Sequence, residues 1–292
     1  MTELRMHVDE VSTDAALVQR LLSAQFPDWA SLPLGRVPST GTDNALYRLG
    51  EEMVVRLPRI LWAVAGAKRE REWLPRLGPL LPVEVPTLLA TGEPADGYPW
   101  TWAVYSWLDG ATPTDAADPD RLAADLAGLI SAFHAIDLEG PSTGRGLPLA
   151  GRGDDVRAAL DELEGMIDTS AAVAAWDEAL RAPEWEGRPV WIHGDLLPGN
   201  VLVRDGRLTG LLDFGCVGVG DPACDLISAW AILPCESRAA LRTRVDIDDA
   251  TWSRARGWAL SIALIALPYY VDTNPGFAEL ARRMIREVLA GD

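Results

Sequence analysis

The run at residues 190–203, VWIHGDLLPGNVLV, limits how this chain can fold more than any other stretch. Strand-forming residues open and close it, and His193, Asp195 and Asn200 stand between them on a segment broken by Gly194, Pro198 and Gly199. The pattern reads as a buried strand, a turn and a second buried strand. A turn that only reverses the chain satisfies its backbone with one or two polar side chains. An imidazole, a carboxylate and a carboxamide held together there point instead to a turn with chemistry to do. A second apolar run at residues 208–215, LTGLLDFG, is reached through a short hairpin and carries Asp213 to the end of a strand.

The rest of the chain divides by character. Residues 12–25 have the apolar spacing of a helix, with Ser12 or Thr13 as N-cap and Leu17, Leu21 and Leu22 on one face. Two strand-like runs follow, ALYRL and MVVRL, joined by GEE, in which Gly50 suits a hairpin turn. The pattern turns helical from Ala67 to Leu77, and VPTLLATG and WTWAVYSWL read as further strands. After Gly110 helical spacing takes over at residues 120–136, 155–167 and 171–180, and again at 252–267 and 277–290. The switch lies at WLDGATP, which predicts a division into residues 1–107 and 108–292. No internal repeat or low-complexity tract interrupts this order.

Composition narrows the class of partner. The chain has 292 residues, 48% hydrophobic and 24% charged, as in an ordinary globular protein with a sizeable core. Lys and Arg number 26 against 43 Asp and Glu, a net charge of -17. That balance argues against nucleic acid or an anionic membrane as partner and leaves room for a cationic small molecule. The three cysteines, Cys216, Cys224 and Cys235, show no metal-ligand spacing and fit a reducing compartment, where they read as small buried residues. The first residues are polar and acidic, and the longest apolar run, 259–271, is too short to span a bilayer. The expected location is cytoplasmic.

The motif H-G-D-x-x-x-x-N followed by D-F-G has a chemical logic. Asn200 and Asp213 would present oxygens from neighbouring strand ends, which suits Mg²⁺, an ion that takes few protein oxygens and adds substrate phosphates. Asp195, a second carboxylate nearby, could accept the proton of a hydroxyl attacking phosphorus. HGDLLPGN with LLDFG resembles the aminoglycoside phosphotransferase family, and the resemblance covers nearly the whole chain. It implies an α+β, protein-kinase-like fold of two lobes, the N-terminal one β-rich and nucleotide-binding, the C-terminal one mainly helical.

The same resemblance implies roles. Asp195 would be the catalytic base, and Asn200 and Asp213 would hold Mg²⁺ at the phosphates of ATP or GTP. His193 would brace the loop and Asp225 would hold its backbone from below. Arg56 stands in MVVRLPR where many members have Lys, with Glu70 as its helix partner and Glu72 close by. The two cations differ in hydrogen-bonding geometry, so this is a real departure. The phosphate-covering loop would be PSTGTDNALY, with Ser39 and Gly41 flanked by Thr40 and Thr42. The Ser106 carbonyl and Leu108 amide would meet the adenine edge, with Trp107 between them. Acidic residues on the segment at 153–170, Asp161 and Glu162 among them, would favour a cationic acceptor. The implied activity is transfer of the γ-phosphate to a hydroxyl of a small molecule, an aminoglycoside or related antibiotic being the first choice. A kinase for a choline-like alcohol or a sugar, and a catalytically degenerate nucleotide-binding fold, are the alternatives. A protein kinase is disfavoured because no A-P-E segment follows D-F-G.

Overall fold

The computed structural model describes residues 5–38, 41–113 and 118–291. Helix α1 (Ala15–Gln25) starts the fold, but its cap is Asp14, whose Oδ1 accepts the Leu17 amide hydrogen at 2.7 Å. Neither Ser12 nor Thr13, the expected caps, takes that place; Thr13 is buried, its hydroxyl oxygen accepting a hydrogen bond from Tyr47. Strands β1 (Leu34–Arg36), β2 (Asn44–Leu49) and β3 (Met53–Pro58) come next, with Gly50 at φ +59° turning β2 into β3. Helix α2 (Leu61–Leu77) begins six residues before the apolar pattern predicts and runs on through Pro75. Strands β4 (Leu88–Gly92) and β5 (Trp102–Ser106) complete an antiparallel sheet in the order β1-β2-β3-β5-β4.

Strand alternation explains why β5 is buried on both sides. Trp102 and Val104 face α1 and join Leu17, Leu21, Tyr47 and Leu57 in one core. Ala103 and Tyr105 face the other way and join a larger core with Leu74 and Leu77 of α2. Successive side chains on a strand point to opposite faces, so one five-residue strand serves both cores.

The larger core is built by helices. They are α3 (Pro119–His134), capped by Asp118, α4 (Gly153–Glu162) and α5 (Thr169–Leu180). After four short strands come α6 (Ser228–Ala231), α7 (Cys235–Val245), α8 (Asp249–Tyr270) and α9 (Pro275–Leu289). Trp191, Trp230 and Trp258 are fully enclosed there. Of the cysteines, Cys224 is buried and Cys216 half-buried, whereas Cys235 is exposed at the start of α7, contrary to the expectation of burial. No helix among the described residues is long and apolar enough to cross a membrane.

The four short strands correct the sequence reading. The strands flanking the 193–200 turn, β6 (Val190–Ile192) and β7 (Val201–Arg204), do not pair with each other. β7 pairs with β8 (Arg207–Leu211), and β6 pairs with β9 (Gly218–Gly220), which lies beyond D-F-G. The polar turn is therefore a crossing between two small sheets. Asp195 and Asp213 end up side by side because both lie at the junction of those sheets.

Candidate active site

The chain leaves β6 through His193 and Gly194, and one buried carboxylate anchors both. Asp225 accepts the His193 amide hydrogen at Oδ2 and the Gly194 amide hydrogen at Oδ1, each at 2.7 Å. Burial pushes the Asp225 carboxyl above its ordinary range, and His193 with the two amides pulls it back. Gly194 sits at φ +81°, and a Cβ there would stand 2.7 Å from the Cys216 carbonyl oxygen, so only glycine fits. The His193 Nδ1 accepts the Asp195 amide hydrogen at 3.3 Å, which leaves Nε2 to donate to the Leu212 carbonyl at 3.1 Å. Burial lowers the ring's basicity and keeps it neutral. His193 thus ties the loop to the residue before Asp213.

Asn200 fixes Asp195. Its Nδ2 donates to the Asp195 backbone oxygen and to Oδ2, both at 2.8 Å. Asp195 is pushed up to about 6, mainly by burial, with Asp213 and Asp43 adding to the shift while Arg145 and the Asn200 hydrogen bond oppose it. The amide nitrogen being committed to Asp195, the Asn200 Oδ1 is left to face elsewhere, its orientation assigned from the hydrogen-bond network.

Asp213 adopts the left-handed region, φ +60° and ψ 75°, at the end of the β8 segment. Its Oδ1 accepts from Arg56 Nη2 at 2.7 Å and from the Gly215 amide at 3.2 Å. Burial would raise its carboxyl, but the Arg56 charge and hydrogen bond hold it below the ordinary range. Arg56 Nη1 meets both oxygens of Glu70 at 2.7 and 2.6 Å. Glu70 also accepts the Phe214 amide hydrogen at 2.8 Å, which pins α2 to the D-F-G turn. With its amide oriented by the surrounding donors, Asn44 on the neighbouring β2 sets its oxygen 3.0 and 3.2 Å from Arg56 Nη2 and Nε. Glu72 is exposed on the opposite face of α2, so Glu70 is the partner.

The site can take a hard cation. Asn200 offers a carboxamide oxygen, and Asp213, with its side chain 38% exposed, meets Arg56 through Oδ1 alone, which leaves Oδ2 for another partner. Among the described residues no group of three or more His, Cys, Asp or Glu could hold a metal alone. Two oxygen donors fit an ion that shares its remaining positions with phosphates and water.

The other expected residues spread around this centre. Gly41 is exposed beside Thr42, whose hydroxyl donates to Asp43 at 3.1 Å, while Ser39 and Thr40 lie outside the described residues. At the end of β5, the Thr87 amide donates to the Ser106 hydroxyl at 2.8 Å rather than to its carbonyl, and Leu108 is half-buried just beyond. The Arg48 guanidinium lies 3.9 Å over the Trp107 ring. Asp161 and Glu162 are exposed on α4, and among the described residues neither forms a hydrogen bond or ion pair with this cluster. Sequence reasoning missed Asn44, Asp43 and Arg145. Arg145 Nη2 stands 3.7 Å from Asp195 Oδ1, yet it lies 50 residues earlier in a Gly-flanked loop with no motif to reveal it.

A five-stranded antiparallel sheet beside a helical body, with this cluster at their junction, defines an α+β protein-kinase-like protein of two lobes. The chain belongs to the phosphotransferase enzyme family (APH), whose model matches residues 35–258. It is similar in fold to the GDP and kanamycin complex of APH(2")-IIia, with a TM-score of 0.74, 19% identity, and coverage of 94% of this chain and 99% of that one. In sequence it is 29% identical to the uncharacterized protein YcbJ of Bacillus subtilis (strain 168) over 159 residues, 50% of this chain and 49% of that protein. It is 28% identical to the aminoglycoside 3'-phosphotransferase of Escherichia coli over 113 residues, 37% of this chain and 42% of that protein. The chain's match thus spans about half the length, or less, of these curated relatives.

Proposed function

We propose that the protein transfers the γ-phosphate of ATP or GTP to a hydroxyl of a small molecule, with Asp195 as the base. The observation that carries this reading is the convergence of Asp195, Asn200 and Asp213 at one junction, with the Arg56–Glu70 pair attached to Asp213. A carboxyl pushed up to about 6 is ionised at neutral pH and still basic enough to take a hydroxyl proton. Asn200 orients it from one side, so the acceptor oxygen meets a fixed carboxylate.

Asn200 and Asp213 would hold Mg²⁺, which supplies charge neutralisation at the phosphates when bound. In the structure Asp213 and Asn44 share Arg56 Nη2. Phosphate oxygens compete with Asp213 for that nitrogen, and a carboxylate released from it is free to take the cation. The Lys-to-Arg departure therefore gives a fork that holds Glu70 while one branch changes partner. Gly41, with Ser39, covers the phosphates in this reading, and the Ser106 carbonyl and Leu108 amide receive the base. The division at 107/108 is then the hinge between the nucleotide lobe and the acceptor lobe.

For the acceptor we take an aminoglycoside or related hydroxylated antibiotic, on the strength of charge complementarity with the acidic surface, which includes Asp161 and Glu162. Nucleotide consumption with Mg²⁺ should be measured across aminoglycosides, other hydroxylated antibiotics, choline and sugars, with Asp195→Asn as control. One acceptor that raises consumption in the wild type and not in the control supports the reading. A panel without any such acceptor, in a protein that binds nucleotide equally with and without Mg²⁺, would sink it.

A further inference from the structure

Arg145 sits on a mount built for close approach. The segment at 141–146 runs against the D-F-G turn and β9: Thr143 donates its hydroxyl hydrogen to the Cys216 carbonyl at 2.8 Å, and the Val219 amide donates to the Pro141 carbonyl at 2.9 Å. The Asp221 amide donates to the Gly146 carbonyl at 3.1 Å. A Cβ at Gly220 would lie 2.2 Å from the Gly146 Cα, and one at Gly218 would lie 2.7 Å from the Pro141 carbonyl oxygen. Backbone meets backbone here without side chains between, so the Arg145 Cα has little freedom to move.

The guanidinium on this mount is under-used. Nη2 stands 3.7 Å from Asp195 Oδ1, an ion-pair distance rather than a hydrogen bond, and Nη1 is buried beside the Cys216 thiol with no nitrogen or oxygen partner among the described residues. Arg56 differs, since Glu70, Asp213 and Asn44 already occupy all of its nitrogens. Around the reacting position stand Asp195, Asp213 and Asp43, and a triphosphate adds further negative charge. The half-buried Arg152 feels the Arg145 charge, and among the described residues its Nε has no hydrogen-bond partner. A fixed cation with a spare donor next to the base is what a developing phosphoryl charge requires.

We propose that Arg145 donates through Nη2 to the phosphoryl group as it passes to the acceptor hydroxyl held at Asp195; this rests on the phosphotransfer reading above. In that step the acceptor oxygen bonds to the γ-phosphorus as the bond to the β–γ bridging oxygen breaks. The hydroxyl proton goes to Asp195, and the nucleoside diphosphate leaves with the electron pair. Arg145 touches the group in flight, while Arg56 serves the phosphates that stay behind.

The test is calorimetric binding of Mg-ADP and Mg-GDP, with and without aluminium fluoride as a mimic of the transferring phosphoryl. It compares the wild type with Arg145→Gln and Arg145→Lys. The expected result is diphosphate affinity within about threefold in all three, with fluoride tightening the wild type by roughly tenfold or more, Gln losing that gain and Lys keeping part of it. In turnover, Gln should lower kcat by about 100-fold or more with acceptor KM little changed. Equal fluoride tightening in wild type and Gln overturns the role of Arg145 and leaves the phosphotransfer reading intact, as does a wild type that gains nothing from fluoride. A wild type that binds neither diphosphate overturns both. Should Arg145→Gln fail to fold, Arg145→Lys decides alone: a partial loss of the fluoride tightening together with a lowered kcat supports the proposal, and tightening and turnover both equal to wild type overturn it.

Discussion

At the scale of single residues, Asp195 stores the most consequential tension. Its carboxyl stands at about 6 in the folded chain against an ordinary 3.8. A carboxyl raised on folding contributes stability that is fully present below the unfolded value and lost as pH rises through the folded one. At pH 7 the charged group therefore costs roughly 3 kcal/mol, an upper figure for a side chain still 24% exposed. Asp195→Asn should raise stability at pH 7 to 8 and leave it unchanged near pH 4, as read by denaturant unfolding. The same substitution should cut turnover by about 100-fold or more while nucleotide affinity stays near wild type. In the wild type, kcat/KM should fall about tenfold per pH unit below pH 6, and a flat profile down to pH 5 would remove Asp195 from the role of base. Arg56→Lys probes the other tension. An ammonium has three donors on a single nitrogen and lacks the span of the fork that reaches Glu70, Asp213 and Asn44, so the free protein should lose about 1–3 kcal/mol by chemical denaturation. A variant as stable as wild type would show that the fork is dispensable.

At the scale of elements, the site depends on segments that touch without side chains between them. Gly66 of α2 lies against Gly215, Gly146 against Gly220 and Gly194 against Cys216. These approaches bring α2, β6, β9 and the D-F-G turn close enough for Glu70 to reach the Phe214 amide and for Asp225 to reach two successive amides. Gly220→Ala tests the effect, because its φ is not in the left-handed region and the new Cβ would meet the Gly146 backbone at 2.2 Å. The expected cost is about 1–3 kcal/mol by thermal or denaturant unfolding, with a fall in kcat larger than any rise in nucleotide Kd. Unchanged stability would mean that the 141–146 segment gives way easily and is no mount.

At the scale of the whole molecule, Arg56 and Glu70 come from the sheet and α2, Asp195 and Asp213 from the junction of the small sheets, and the Arg56–Asp213 ion pair joins the two sides at the site. A nucleotide bound with Mg²⁺ across that junction should stabilise the fold by about 2.7 kcal/mol at one hundred times its dissociation constant, and much less in EDTA. Thermal unfolding with ATP, with GTP and with each chelated checks this, and shifts indifferent to Mg²⁺ would favour a degenerate fold. Much of this architecture was legible beforehand. Period-two and period-3.6 patterns placed most strands and helices, and the spacing of His193, Asp195, Asn200 and Asp213 named the centre, because such signals are carried by neighbours in the chain. The partner of β6 and the meeting of Arg145 with Asp195 were decided only by tertiary packing. Contacts across many residues depend on which faces are buried together and where a missing Cβ lets two backbones touch, and no local pattern encodes either.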